Sequence, residues 1–391
     1  MVIVGGGLAA IRTAEQLRKA GEERPITIVS DERHPPYDRP PLSKDVLQDP
    51  VKGLGDVELK PAEFYADNDI TLRLGVAAQS LDGAARTLTL ADGSALGYDE
   101  LVIATGLVPK RIGSFPDLAG IRVLRSVDDA LALRGHAASV RRAVIVGAGF
   151  IGCEVAASLR KLGVDVVLVE PQPAPLAGVL GEQIGQLVAR LHRAEGVDVR
   201  AGTGVAEVRG ASGEVSEVVL TDGDIVEADL VVLGIGSRPA TDWLAGSGVD
   251  LDPADGGVLC DEVGRTSVSH VWALGDIASW LDASGARARV EHWSNVADQA
   301  RVLVPALLAA DVPSLTVVPY FWSDQYDVKI QCLGEPSATD VVHVVEDDGR
   351  KFLAYYERDG VLVAVVGGGM PGKVMKARAK IAGAAAISEV L

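Results

Sequence analysis

The chain begins with a short β-branched apolar run, Val2-Ile3-Val4. Glycines follow, then apolar residues spaced three and four apart that end at Arg18-Lys19 and Gly21. An extended run, a glycine turn and a 3.6-residue period closed by glycine predict a strand, a tight turn and an amphipathic helix. The pattern returns 142 positions later: VIVGGGLAAIRTAEQLRKAG (Val2 to Gly21) aligns with VIVGAGFIGCEVAASLRKLG (Val144 to Gly163), and ten of 20 positions are identical. Each copy then enters another β-rich run closing on an acid, ITIVS before Asp31 and VDVVLV before Glu170. The chain therefore carries two separate βαβ units. Near its end, VVHVVE, KFLAYYE and VLVAVVGG alternate with Asp-Gly turns, which predicts an antiparallel sheet, and 372–391 reads as an Ala-rich helix.

The turns are Gly5-x-Gly7-x-x-Ala10 and Gly147-x-Gly149-x-x-Gly152. The first glycine allows the tight turn, the second lets backbone approach a pyrophosphate, and the third small residue lets the helix pack on the strand. The helix behind each turn offers unpaired N–H groups and a positive dipole end to phosphate. Asp31 and Glu170 stand 26 and 23 residues after the first glycine of their copy, where a carboxylate can accept from a ribose hydroxyl. Glu170 repels a 2′-phosphate and no arginine follows in PQPAPLAGVLGEQ, so the second site favours NAD(H). Ala104-Thr105-Gly106, the turn at Gly236, and Asp276 after Leu274-Gly275 look like strand ends and domain crossings, which places a long dinucleotide across the first unit.

Length and composition narrow the classes. At roughly 150 residues per domain, 391 residues imply two or three domains. A formal net charge of −17 repels nucleic acid and anionic lipid, so neither nucleic acid nor membrane is an expected partner. No apolar run is long enough for a spanning helix. Residue 1 leads straight into a strand, so no export leader is expected, and the three distant cysteines fit a reducing cytoplasm. The six histidines show no ligand spacing, and no metal site is expected.

Six segments in order carry a family resemblance: Tyr37-Asp38-Arg39-Pro40-Pro41-Leu42-Ser43-Lys44, Ala104-Thr105-Gly106, Gly147 to Glu154, Ala273-Leu274-Gly275-Asp276, Glu291-His292-Trp293 and Phe321-Trp322-Ser323-Asp324-Gln325. The chain resembles the flavoprotein disulfide reductase superfamily, and within it the NADH-dependent ferredoxin reductases of bacterial oxygenase systems. The resemblance implies an α/β protein with two Rossmann-like dinucleotide-binding domains and a C-terminal α+β domain. FAD is expected on residues 1–112 and 236–314, NADH on 113–235, and the C-terminal domain on 315–391. The implied function is transfer of electrons from NADH through flavin to a [2Fe-2S] ferredoxin, and indirectly to a cytochrome P450 or Rieske oxygenase. A rubredoxin reductase, or an NADH-responsive interaction protein like apoptosis-inducing factor, is the alternative.

The resemblance also distributes roles. Disulfide reductases carry two cysteines where this chain has Pro40 to Leu47 and no cysteine, so electrons must pass directly from flavin to an outside acceptor. Lys44 is expected at the flavin N5 and O4 edge, and Arg39 at the pyrophosphate or adenine side. Asp276 falls to the ribityl chain, and Trp293 to the pyrimidine edge or to plain packing. Glu154 either pairs with Lys44 across a domain interface or serves as a helix-dipole partner. Trp322 either carries electrons toward the surface or only packs. The basic run from Lys373 to Lys380, with Arg287, Arg289 and Arg301, is either a solvated face or a docking surface for an acidic ferredoxin.

Overall fold

The computed structural model describes residues 1–282, 285–313 and 317–391. Its contacts gather into two compact units, Met1–Asp38 with Leu54–Val108 and Ser237–Thr316, and Arg39–Gly53 with Pro109–Gly236 and Val317–Leu391. The segment around Lys44 thus groups with the second nucleotide fold, and so does the C-terminal sheet. The expected boundary at 314/315 lies outside the described residues.

In the first unit, the predicted strand Val2–Val4 is central in a five-stranded parallel sheet. On one side lie Ile26–Val29 and Ile70–Arg73, on the other Leu101–Ile103 and Val271–Ala273. The alternation of side chains sorts the core into two layers. Ile3, Ile28, Val102 and Trp272 join the layer with Ile11, Ala14 and Leu17 of the helix Leu8–Lys19, while Val2, Val4, Leu101, Ile103 and Val271 join the opposite layer. Burial on both faces explains why these strands read as unbroken apolar runs.

The second unit repeats the plan. Arg142–Val146 is flanked by Asp165–Glu170 and Asp198–Ala201 on one side, and by Leu230–Leu233 and Ile121–Arg122 on the other, all parallel. In each sheet the chain runs outward from the centre one way and resumes on the other side. This leaves a switch point at the carboxyl ends of the central strands, the usual place for a ligand in open α/β sheets.

Residues 320–368 form a five-stranded antiparallel sheet containing the three predicted strands, as Val341–Asp347, Phe352–Arg358 and Val361–Gly368. The remaining strands are Tyr320–Gln325 and Val328–Gly334. The predicted helix over 372–391 is instead two short helices, Pro371–Lys376 and Arg378–Ala382, and the chain then leaves helical geometry. Ala384 turns with φ 49°, Ala385 accepts from the Leu362 amide and Ala386 bridges to Val361. The open strand edge outcompetes alanine's helical preference at this terminus. No helix among the described residues is long and apolar enough to cross a membrane.

Candidate functional site

The two glycine turns differ in what each glycine is for. At Gly5, φ is +127° and a Cβ would stand 2.1 Å from the Ala104 carbonyl; at Gly147, φ is +95° and a Cβ would stand 2.5 Å from the Gly234 carbonyl. Both are required by the protein's own packing. At Gly152 a Cβ would come within 1.9 Å of the Gly147 carbonyl, whereas Ala10 carries its methyl fully buried. Gly7 and Gly149 obey a different logic. Their φ values are −104° and −72°, and beyond the adjoining backbone no protein atom lies within 4 Å of the Cβ position. Nothing in the protein demands glycine there, and the backbone is left open at the start of each helix. The helices Leu8–Lys19 and Phe150–Lys161 begin at these glycines without a side-chain cap, leaving first-turn N–H groups available to an anion. The residues present fit two dinucleotides.

The strand-end acids are not equivalent. Gly5 and Gly147 donate to Val29 and Val169 at 2.7 and 2.8 Å, which makes Ser30, not Asp31, the structural counterpart of Glu170. Ser30 fills the space that a Cβ on Gly6 would need, 2.4 Å from its Oγ. Asp31 is one residue further on and exposed. Glu170 accepts from the Ala148 amide at 2.7 Å and from the Gln172 amide at 2.9 Å, which aims its carboxylate along the rim of the turn.

Other expected residues collect within the first unit. The Ala104 amide bonds Val4, Thr105 Oγ1 donates to the Ala240 carbonyl at 3.0 Å, and Gly106 (φ +64°) accepts from Ala240. The amide of Gly275 donates to buried Gln299 at 2.7 Å, and its Cβ position lies 3.1 Å from Ala9. Asp276 therefore follows a turn packed at the start of the glycine-led helix. Trp293 Nε1 donates to Asp38 at 2.8 Å, and Arg12 lies over its ring at 5.9 Å. In the second unit, Gly236 (φ +87°) accepts from Lys110, and Arg39 donates to the Arg125 carbonyl at 2.8 Å.

Lys44 and Glu154 meet. Lys44 sits between the turn Pro40–Ser43 and the short helix Asp45–Gln48, and its Nζ lies 2.7 Å from Glu154 Oε2 and 3.0 Å from the Pro40 carbonyl. Ser43 Oγ donates to the same carboxylate at 2.5 Å, and Ser323 Oγ donates to Oε1 at 2.8 Å. Of the two readings of Glu154, ion pairing is the one this geometry displays, with both residues inside one unit. Sequence reading gave no role to Ser43, Ser323, Gln325, His192 or Tyr326, which continue this network. One signal was available: Ser323 and Gln325 share the buried face of Tyr320–Gln325 with Phe321, an improbable position for polar residues without partners.

The three thiols are buried and unpaired. Burial pushes that of Cys260 up to about 12 and raises those of Cys153 and Cys332, so none is poised for thiolate chemistry. In the basic run Lys373 pairs with Glu346, while Arg378 donates to the Val318 carbonyl and Lys380 to the Glu389 carbonyl. In the first unit Arg289 pairs with Asp255 and Glu291, and Arg301 with Asp298. Trp322 is partly exposed, stacks on Tyr320 with centroids 5.8 Å apart, and has Lys329 at 5.7 Å.

Comparison with known proteins agrees with this architecture. Residues 1–300 match the pyridine nucleotide-disulphide oxidoreductase family, and 320–390 match a reductase C-terminal domain. A ferredoxin–NAD(P)+ reductase of Sphingomonas sp is 38% identical over 370 residues, 93% of this chain and 88% of that protein. The ferredoxin–NAD+ reductase component of the anthranilate 1,2-dioxygenase system of Burkholderia cepacia is 37% identical over 352 residues, 89% of this chain and 85% of that one. The crystal structure of the ferredoxin reductase for the CYP199A2 system of Rhodopseudomonas palustris superposes with a TM-score of 0.93 at 32% identity, covering 99% of this chain and 95% of its own. With the twin glycine turns, two parallel sheets and a C-terminal antiparallel sheet in place, the chain belongs to the pyridine nucleotide-disulphide oxidoreductases, in their ferredoxin reductase branch.

Proposed function

We propose that this enzyme takes electrons from NADH, through FAD bound to its first unit, to a [2Fe-2S] ferredoxin serving a cytochrome P450 or Rieske oxygenase, and that it works in the cytoplasm. The observation carrying this reading is the pair of second glycines, Gly7 and Gly149, each left open at the start of an uncapped helix where a pyrophosphate can reach the backbone. FAD, when bound, supplies the chemistry that accepts two electrons together and releases them singly.

The residues of the chain do the rest. The uncapped first turns bind the two pyrophosphates. Glu170 already accepts two amide bonds and turns its remaining lone pairs toward ribose hydroxyls, while its charge disfavours a 2′-phosphate. Lys44, held by Glu154, carries the positive charge that the resemblance assigns to the flavin edge. With three buried cysteines and none between Pro40 and Leu47, no protein dithiol stands between flavin and acceptor. Trp322 is the proposed exit, supported by its partial exposure on the Tyr320–Gln325 strand. The proposed division keeps FAD on 1–112 and 236–314, NADH on 113–235 and the exit on 315–391.

The test has two arms. Acid release should yield FAD, and NADH oxidation should depend on an added [2Fe-2S] ferredoxin; recovery of FMN or indifference to every ferredoxin overturns the reading. NADH should be preferred over NADPH by about 2–4 kcal/mol, and Glu170→Ala with Gln172→Arg should narrow the gap. Equal use of both nucleotides by the natural chain refutes the role of Glu170.

A further inference from the structure

The carboxylate of Glu154 is one end of a longer line of buried polar groups. Ser323 Oγ touches Glu154 Oε1 at 2.8 Å, Gln325 Nε2 touches Ser323 Oγ at 3.1 Å, and Gln325 Oε1 meets His192 Nε2 at 3.0 Å. His192 Nδ1 then meets the Tyr326 hydroxyl at 2.9 Å. Ser323, Gln325 and His192 are completely buried, and Glu154 is 3% exposed. The line joins three distant parts of the second unit: the glycine-led helix Phe150–Lys161, the helix Ala177–Ala194 and the strand Tyr320–Gln325.

Its direction follows from its acidic end. A carboxylate paired with Lys44 only accepts, so Ser323 must spend its single proton on Glu154. The Ser323 oxygen then accepts, and the glutamine group facing it must be the amide NH₂. That turns Oε1 of Gln325 toward His192, so Nε2 carries the ring proton and Nδ1 accepts from the Tyr326 hydroxyl. Reversal would turn Oε1 of Gln325 toward Ser323 and draw the serine proton away from Glu154. Every hydrogen therefore points the same way, from Tyr326 to the anion.

We infer that this line is a polarised positioning relay: the Glu154 carboxylate orients Ser323 and Gln325, these fix the Nε2-protonated tautomer of His192, and the Tyr326 hydroxyl closes the line on Nδ1, so that the whole line holds the carboxylate that anchors Lys44. His192 and Tyr326 are positioning residues for the electron-transfer reaction, though neither belongs to a glycine turn. The functional part of the inference rests on the reading that Lys44 faces the flavin. Aligned bonds polarise one another, so the far end of such a line is felt at the near end.

The experiment uses the flavin-loaded full chain with ¹⁵N-labelled histidine. In the natural protein the His192 ring nitrogens should report a neutral ring protonated at Nε2. In Tyr326→Phe, which removes one oxygen, the ring should stay protonated at Nε2 while the Nδ1 shift moves, having lost its donor. Flavin reduction by saturating NADH should slow about fivefold with KM for NADH unchanged. His192→Gln, which keeps a donor toward Gln325, should stay within about twofold of the natural rate, whereas His192→Phe should match Tyr326→Phe. An Nδ1-protonated ring in the natural protein overturns the relay, as does Tyr326→Phe with unchanged nitrogen shifts and rate. A rate that survives Lys44→Met overturns instead the placement of Lys44, while the nitrogen shifts on the same samples still decide the relay's direction.

Discussion

The two βαβ copies share half their residues but have different surroundings at three equivalent positions. Gly6 beside Ser30 corresponds to Ala148 beside Glu170, Ala10 to Gly152, and Arg12 to Glu154. In the first copy the strand end closes on itself, with a serine hydroxyl filling the space beside a glycine. In the second, an alanine amide holds a carboxylate outward. The first helix keeps a methyl at its third position, while the second comes too close to its turn to allow one. Arg12 makes a partly exposed pair with Glu15 at 2.8 Å, whereas Glu154 is buried in an ion pair and a relay. One local motif thus supports two sites because the side chains around it, not its glycines, set charge and access.

The comparison breaks hardest at the third position. Gly152→Ala forces a methyl into a backbone oxygen, and urea unfolding should show a loss of about 3–4 kcal/mol. Ala10→Gly removes a methyl from a place that accepts it and should cost only about 1 kcal/mol. Similar losses would mean that the helices approach their turns alike.

The buried relay adds a pH dependence that the first copy lacks. Burial holds His192 down to about 4, despite the opposing bond from Gln325. Unfolded, it titrates near 6.5. Between those values the unfolded chain binds the extra proton, so stability should fall as pH drops from about 6.5 to 4, by roughly 3 kcal/mol in all. His192→Gln should flatten this part of the profile. An unchanged slope in that variant would separate His192 from the pH response.

Next in size is the contrast between the equivalent charged residues. Glu154→Gln strips Lys44 of its counter-charge in a mostly buried place and should cost about 2 kcal/mol, whereas Arg12→Gln should cost less than about 0.5. Equal costs would show that the buried pair is no stronger than the surface one.

The finest contrast lies within one turn. Gly149→Ala meets no protein atom beyond the adjoining backbone and should leave unfolding within about 0.5 kcal/mol of the natural chain, yet weaken dinucleotide binding about tenfold. Calorimetric titration with NAD+ decides it, and undiminished affinity would remove the pyrophosphate from that glycine.

The twin strand–turn–helix units and their order were legible in the sequence, because period and turn chemistry belong to residues a few positions apart. Glu170 was legible too, since it directly ends an apolar run. In strand register Glu170 corresponds to Ser30, one residue before Asp31, and only the pairing of strands identifies that. The expected C-terminal helix failed for a related reason, as alanine's preference is local and the strand edge that captures Ala385 is not. Lys44 with Glu154 came from resemblance, and their distance came from folding. The relay from Tyr326 through His192, Gln325 and Ser323 had only a faint trace, polar residues on a buried face. The sequence by itself determined where backbone turns and which residues must be inside. Tertiary structure alone decided which buried polar groups meet, because a hydrogen bond needs a partner within about 3 Å and that partner lies more than a hundred residues away.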